Sequence, residues 1–130
     1  MTPAAQAGAT YFSLVFALGF ALGTLRVLAL APYLGPTGAV LVELPIMLAA
    51  SWVLCGWLIA RFAVPPVWAD RLLMGGLAFA LLIIAELVVS VLAFGRSVTE
   101  HLATYREVAA QVGLAAQVAF AAFPLIRGRP

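Results

Sequence analysis

The sequence predicts an all-α fold, a four-helix transmembrane bundle whose spans run up-down-up-down. Of its 130 residues, 65% are hydrophobic and only 9% are charged, and the mean hydropathy is +1.14. Soluble domains carry roughly 25% charged residues, so a soluble fold could not cover this much apolar surface and the surrounding solvent must be lipid. At roughly 20 residues a span, the length admits about four spans in one domain over residues 1–130.

Four apolar runs give the predicted spans, at residues 8–31, 39–60, 71–94 and 105–123. No basic segment of a secretory signal precedes the first run, so we expect it to be retained as a span. Two prolines and two glycines in residues 32–38 predict a short uncharged turn. So short a link makes the first two spans antiparallel neighbours.

Helix-start signals surround the third and fourth spans. Asp70 is expected to be the N-cap of the third span. The pairs Ser97/Glu100 and Thr104/Glu107 each fit a capping box. We expect a short interfacial helix beginning near Val98, and a single helix continuous from Val98 into the fourth span is the alternative.

Two stripes indicate which helix faces meet protein. Gly19 and Gly23 form a G-x-x-x-G motif that allows another helix to approach closely, and Arg26 projects from nearly the same face, into the bundle. In the second span a semi-polar stripe recurs every fourth residue and is suited to facing protein. Its members are Glu43, Met47, Ser51 and Cys55.

The arginines predict the orientation. With four spans, both termini and the connector between the second and third spans lie on the same side of the membrane. This side holds Arg61, Arg71, Arg127 and Arg129. The positive-inside rule therefore places both termini in the cytoplasm. Every basic residue except His101 is arginine, which we interpret as the codon bias of a GC-rich bacterial genome. The expected location is the bacterial cytoplasmic (inner) membrane.

Composition excludes several classes of function. The net charge is +2, but the arginines never cluster with aromatic residues as a nucleic-acid face requires. A single cysteine, Cys55, excludes an intramolecular disulfide and a thiolate metal cage. One histidine excludes a bis-His haem within one chain. No nucleotide loop, nucleophile–base pair or zinc spacing is present, so we expect no catalytic residue, metal or cofactor.

Arg26 and Glu43 are expected to form an ion pair. Each lies a few residues inside its span, at similar depth on antiparallel neighbours, and each charge alone at mid-helix costs about 2.5–3.5 kcal/mol. One interpretation is a structural staple that sets the register of the hairpin. The other is an anion-binding or substrate-orienting arginine held by its glutamate.

Glu86 has no evident cationic partner in the spans. It is about 15 Å by helical rise from Arg96, near the bilayer middle, where desolvation favours the neutral acid. We expect a hydrogen bond to Gln117 or Ser90. The alternatives are a proton- or cation-exchanging site and a polar anchor for the head group of a ligand.

His101, with Glu100, Arg106 and Glu107, is expected to form a solvated interfacial cap at the outer surface. Metal binding there would need ligands from a partner chain.

Two families bear comparison. Small multidrug-resistance transporters share the size and span count, but their essential glutamate lies in the first span, where this chain carries Arg26. The combination of Arg26, the turn at 32–38 and Glu43-Leu44-Pro45 resembles four-span proteins of bacterial inner membranes without an assigned function. That resemblance implies location and architecture, and no activity.

Three hypotheses of function follow. The first is a protein that acts by binding, as an accessory subunit or as a binder of lipid or another hydrophobic ligand, through a polar pocket open toward the outer leaflet. The residues expected to line this pocket are Arg26, Glu43, Glu86, Ser90 and Gln117. Its partners would be the lipid bilayer, a bound lipid, a partner membrane protein or a second copy. The second is a dimeric proton-coupled transporter with Glu86 as carrier, and the third, with least support, is an enzyme acting on a lipid.

Overall fold

The computed structural model describes residues 2–127, and no strand occurs among them. Arg129, counted above toward the orientation, lies outside the described residues. The all-α prediction is confirmed. In chain order the elements are α1 (Pro3–Leu25), a π-helical segment (Arg26–Leu30), α2 (Ala31–Arg61), α3 (Trp68–Leu92), α4 (Val98–Ala103), a 3-10 turn (Thr104–Arg106) and α5 (Val108–Ile126).

Four segments are long and apolar enough to cross a membrane: Pro3–Leu30, Pro32–Arg61, Trp68–Leu92 and Val108–Ile126. The chain is therefore a multi-pass membrane protein. The first two segments begin earlier than predicted. The first starts at Pro3, directly after its N-cap Thr2. The second starts at Pro32 because helix continues through most of the proline- and glycine-rich stretch. The up-down order, the inner membrane and the cytoplasmic termini stay predictions.

The connection between the first two spans differs from the predicted turn over residues 32–38. The helix continues through the π-helical segment and breaks at one residue, Gly35, with φ 75° and ψ 167°. Glycine adopts positive φ at little cost, and Pro36 directly after the break begins a new helical stretch, where its missing N–H costs least. Arg26 and Glu43 on either side of the break are in contact, so the chain folds back at Gly35.

The segment between α3 and α5 is a separate short helix, as predicted. Ser97 and Glu100 form the expected capping box of α4. The second capping box is wrong, since the N-cap of α5 is Glu107 and the hydroxyl of Thr104 donates to the carbonyl of His101 at 2.6 Å. The extended backbone of Glu107 (φ −81°, ψ 142°) also rules out a helix continuous from Val98.

The start of α3 is likewise corrected. Its N-cap is Val67, which has an extended backbone, and Asp70 lies inside the first turn. The chain is still extended after Pro65-Pro66 and enters helix at Trp68, two residues before the predicted cap. A carboxylate in the first turn still interacts favourably with the helix dipole.

The long helices pack in a closed ring, with α1 against α2 and α3, and α5 against α2 and α3. The consecutive helices α2 and α3 do not pack on each other within the described chain. Tyr11 crosses the ring: it stacks on Phe120, with 4.2 Å between ring centroids, and its hydroxyl donates to the carbonyl of Phe120 at 2.8 Å. Ser51 and Cys55 are buried, so the α2 stripe faces protein as predicted.

The close helix approaches are not at the predicted glycines. A Cβ at Gly8 would lie 2.8 Å from the carbonyl oxygen of Met74, and one at Gly75 would overlap the carbonyl oxygen of Ala121. Gly19 and Gly23 instead face the side chains of Met47 and Arg26. A motif of small residues permits close approach without requiring it, and here the room is taken by side chains and by a cavity.

Arg71 holds the end of the ring where α5 terminates. This buried guanidinium donates to the carbonyl oxygens of Pro124 at 3.2 Å, Arg127 at 2.6 Å and Pro65 at 3.3 Å. The carbonyls at the end of a helix lack partners within the helix and carry partial negative charge. Arg71 therefore satisfies the end of α5 and ties it to the start of α3.

Candidate functional site

The predicted ion pair between the first two spans is present. Arg26 Nη1 lies 3.2 Å from Glu43 Oε2, and the two side chains are 33% and 13% exposed. Arg26 is the first residue of the π-helical segment, and Glu43 projects from α2 beyond the Gly35 break. Pairing removes most of the cost of placing either charge inside a span.

Glu86 on α3 and Gln117 on α5 form the second polar pair. The side-chain amide of Gln117 donates to Glu86 Oε1, which confirms the predicted partner. Glu86 forms no ion pair within residues 2–127. The side-chain oxygen of Gln117 is buried and has no hydrogen-bond partner.

Glu86 lies closer to a helix end than predicted. The prediction counted ten helical residues to Arg96, but α3 ends at Leu92 and the chain turns at Gly95, which has a φ of 66°. Six residues separate Glu86 from the end of α3, or about 9 Å of helical rise. Its distance from the polar surface is shorter accordingly.

Ser90 is buried and serves the end of α3. Its hydroxyl accepts from Arg96 Nη1 at 3.4 Å, and its carbonyl accepts from the backbone N–H of Arg96 at 3.1 Å. Of the two partners predicted for Glu86, Gln117 is the one present, and Ser90 contacts Arg96. The Arg96 guanidinium also lies 5.3 Å from the Phe94 ring centroid. Ser90 nevertheless lines the same cavity as Glu86.

The expectation of a solvated His101 is wrong. Only 9% of His101 is exposed, and its Nδ1 is buried without a hydrogen-bond partner. Its ring forms a T-shaped pair with the ring of Tyr105, with 5.6 Å between the centroids. The acidic and basic neighbours on this segment, Glu100, Arg106 and Glu107, are exposed as expected.

The burial of His101 follows from how α4 packs. This six-residue helix lies against α3 and the 3-10 turn, and that contact directs the histidine face inward. A helix of fewer than two turns shows no hydrophobic periodicity, so the sequence could not indicate which side faces the protein. The signal available was one imidazole ring beside the three charged residues Glu100, Arg106 and Glu107.

Tyr105 is a further residue without a role in the sequence-based site. It follows α4 in the 3-10 turn and lines a second pocket, next to the cavity, together with Glu86 and His101. Burial, and after it the negative charge of Glu86, raise the pKa of the Tyr105 phenol above its ordinary value. Tyr105 therefore stays neutral within electrostatic reach of Glu86.

All five predicted residues line one cavity of about 610 Å³ between the four long helices. An adjoining pocket of about 430 Å³ shares part of its lining, including Arg26, Glu86, His101 and Gln117. The charged lining residues lie toward the Gly35 break and α4, at the polar end of the cavity, whose polar residues are Arg26, Glu43, Glu86, Ser90, Arg96, His101 and Gln117. Apolar residues also line this end. Farther along the helices, at the apolar end, the lining includes Val15, Phe16, Met47, Leu48, Leu82 and Phe120, with Ser51 as a polar residue among them.

No family model, curated protein or solved structure matches the chain. Among the described residues, no group of three or more histidine, cysteine, aspartate or glutamate side chains could hold a metal ion. What the cavity offers is an ion pair, a hydrogen-bonded glutamate and two unpartnered buried polar atoms. Such an arrangement can bind and orient a polar group that enters with an apolar body.

Proposed function

We propose that the protein binds an amphiphilic molecule, a lipid or another hydrophobic ligand, in the cavity between its four long helices. The head group would contact Arg26, Glu43, Glu86, Ser90 and Gln117. The observation that carries the proposal is one cavity of about 610 Å³ whose charged lining residues lie toward one end and whose remaining lining is mostly apolar. Small-molecule sites are typically concave and roughly 300–1,000 Å³, with a few placed polar groups in an apolar lining.

The apolar end suits a hydrocarbon chain. Val15, Leu82 and Phe120 belong to the buried core and also form part of the cavity wall. A chain lying here would contact closely packed side chains, and the dispersion energy gained accumulates over many such contacts.

The polar end suits a head group because its side chains are already positioned. Glu43 is held by Arg26 and Glu86 by Gln117, so little side-chain freedom is lost when a ligand binds, and preorganisation of this kind raises affinity. Such a cavity favours a ligand binder over an accessory subunit, whose contacts would lie on its outer surface.

The membrane and the orientation of the chain in it are part of the proposal. The distribution of arginines supports both termini in the cytoplasm and a bacterial inner membrane. The polar lining residues lie toward the Gly35 break and α4, and in that orientation they would face the side opposite both termini. The ligand would then enter the pocket from the outer leaflet. The protein would bind it as a monomer or as a homodimer.

The cavity can be blocked at Gly113. A Cβ at this position meets no atom within 4 Å, and Gly113 lines the cavity, so Gly113→Phe fills space without a clash at the backbone. Gly76 on α3 has the same free space, is exposed and does not line the cavity, which makes Gly76→Phe the matched control.

Native mass spectrometry of gently extracted protein measures the outcome. Wild type and Gly76→Phe are expected to retain a lipid or other hydrophobic molecule that Gly113→Phe loses. Equal retention by all three proteins, or a bare wild-type chain that also takes up no added amphiphile, would contradict the proposal.

A second candidate is a dimeric proton-coupled transporter with Glu86 as carrier. It is favoured by one observation, that Glu86 and His101, two groups able to exchange protons, line the same cavity. Proton release measured between about pH 5 and 9, with and without ligand, compares wild type with Glu86→Gln. Identical proton release by the two proteins would remove this candidate.

A further inference from the structure

We propose that the head group bound at the polar end is a primary ammonium on an apolar chain, held by Glu86, Gln117 and His101. The inference rests on the proposed function and names its ligand class. It also gives His101 a direct role as a ligand-binding residue.

Hydrogen-bond acceptors are in excess at this end of the cavity. The side-chain oxygen of Gln117 and Nδ1 of His101 are both buried without a partner, and both residues line the cavity. A neutral histidine with its proton on Nε2 presents Nδ1 as an acceptor. With the carboxylate of Glu86, the ligand would face three acceptors.

A buried acceptor without a donor costs free energy, so the ligand that supplies the donors binds best. An ammonium group carries three N–H donors and no acceptor. It can therefore donate one hydrogen bond each to Glu86, Gln117 and His101. A hydroxyl carries a single donor and would leave two of them unsatisfied.

The charges at the polar end favour the same ligand. Arg26 is paired with Glu43, and Arg96 contacts Ser90 and Phe94. Glu86 has no ion-pair partner in the described part of the chain, so an ammonium would provide the missing opposite charge. Within a low-dielectric cavity this attraction is stronger than in water.

A phosphate head group fits less well. Its oxygens are acceptors, as are the unpartnered atoms of Gln117 and His101, and its charge would be repelled by Glu86. Of the two arginines that line the cavity, Arg26 is already paired with Glu43, and Arg96 contacts Ser90 and Phe94. Binding a phosphate at Arg26 would require the ion pair with Glu43 to open.

The test is a competition among three probes with the same alkyl chain: hexadecylamine, hexadecanol and hexadecyl phosphate. Wild-type protein in a non-ionic detergent receives an equimolar mixture, and native mass spectrometry counts each bound probe. We expect the amine to exceed each competitor at least about tenfold, since a charge-assisted hydrogen bond exceeds a neutral one by that order.

Two variants examine the proposed contacts. Glu86→Gln keeps the shape of the side chain and removes its charge, and we expect the amine to lose its advantage over the alcohol. Glu107→Gln removes the same charge at an exposed position outside the cavity lining and should retain the preference. His101→Phe keeps the aromatic contact with Tyr105 and should weaken amine binding about fivefold or more, the worth of one hydrogen bond.

The outcomes separate the inference from the function on which it rests. If the alcohol or the phosphate binds best to wild type and is lost in Gly113→Phe, the ammonium inference is wrong and the cavity remains a ligand site. If no probe binds to wild type, or Gly113→Phe binds all three equally well, both are wrong. An amine preference that survives Glu86→Gln also overturns the inference.

Discussion

Arg26 and Glu43 lie nine residues before and eight residues after Gly35, and their charged groups meet at 3.2 Å. The break in the helix at Gly35 sets where the chain folds back, and the ion pair sets how the two arms align. A slip of one residue along either helix would rotate a charge by about 100° out of the contact. The contact is therefore compatible with one register of the hairpin.

Replacing one member of this ion pair is expected to lower the free energy of unfolding more than replacing both. Glu43→Gln or Arg26→Gln alone leaves one charge unpaired inside a span and should lower the free energy of unfolding by about 1–2 kcal/mol, below the value for fully buried pairs because Arg26 is a third exposed. The double variant should recover part of the loss. The free energy of unfolding is measured in mixed micelles with a denaturing detergent, for wild type, both single variants and the double variant. Strictly additive losses would show that the two charges do not interact.

Replacing either of two neighbouring glycines of α3 by alanine should change the stability in opposite directions. A Cβ at Gly75 overlaps the carbonyl oxygen of Ala121, whereas one at Gly76 meets nothing within 4 Å. Gly75→Ala should therefore destabilise the protein by about 1–3 kcal/mol, and Gly76→Ala should stabilise it by roughly 0.5–1 kcal/mol, since glycine is a poor helix former. The same unfolding assay compares them. Equal effects would mean that α3 and α5 do not approach at Gly75.

Arg71 is expected to matter more than the arginine at the end of α2. Arg71→Met keeps much of the side-chain volume but leaves the carbonyls of Pro124 and Arg127 without a charged donor, which should cost about 2–4 kcal/mol. Arg61 is exposed and lies 5.8 Å from the Phe62 ring, so Arg61→Met should change stability little. Hydrogen exchange at the end of α5 supplies a local measurement, with faster exchange expected in Arg71→Met only.

The titration of Tyr105 reports on its distance from Glu86. Its pKa is raised above the ordinary 10.0 by burial and then by the charge of Glu86. Because the folded pKa is the higher one, the neutral phenol contributes stability that is fully present below the unfolded pKa, about 10, and lost as the pH rises through the folded pKa.

Ultraviolet absorbance of phenolate, taken as wild type minus Tyr105→Phe, isolates this group. Glu86→Gln should lower the pKa of Tyr105 toward its ordinary value. In Glu107→Gln, which removes an exposed charge, the pKa should stay where it is in wild type. A shift of the same size in both variants would mean that net charge, and not proximity to Glu86, is responsible.

Much of the candidate site was predictable because charges in spans are costly and few. Arg26 and Glu43 are the only charged residues in the first two predicted spans, on either side of a short link, so the pair followed from chain geometry. Glu86 and Gln117 are long polar side chains on helices that pack together, and the predicted hydrogen bond between them is present.

The errors lie where local pattern allows more than one outcome. Thr104 and Glu107 had the spacing of a capping box, but the backbone entered a 3-10 turn first. Gly19 and Gly23 could have admitted a helix, yet the space beside them is part of the cavity. The sequence of α4 does not indicate which face of this short helix turns inward, so it could not predict that His101 is buried.

The sequence by itself determined the number of spans, the helical class and which charges had to be neutralised within the spans. Composition and spacing suffice for this because apolar surface must be buried and an unpaired charge in lipid is costly. Only the tertiary structure decided that α2 and α3 stand apart, that α4 carries His101 into the cavity and that the polar groups gather at one end of it. Those features depend on how helices pack around a ring, and packing is set by contacts between residues far apart in the chain.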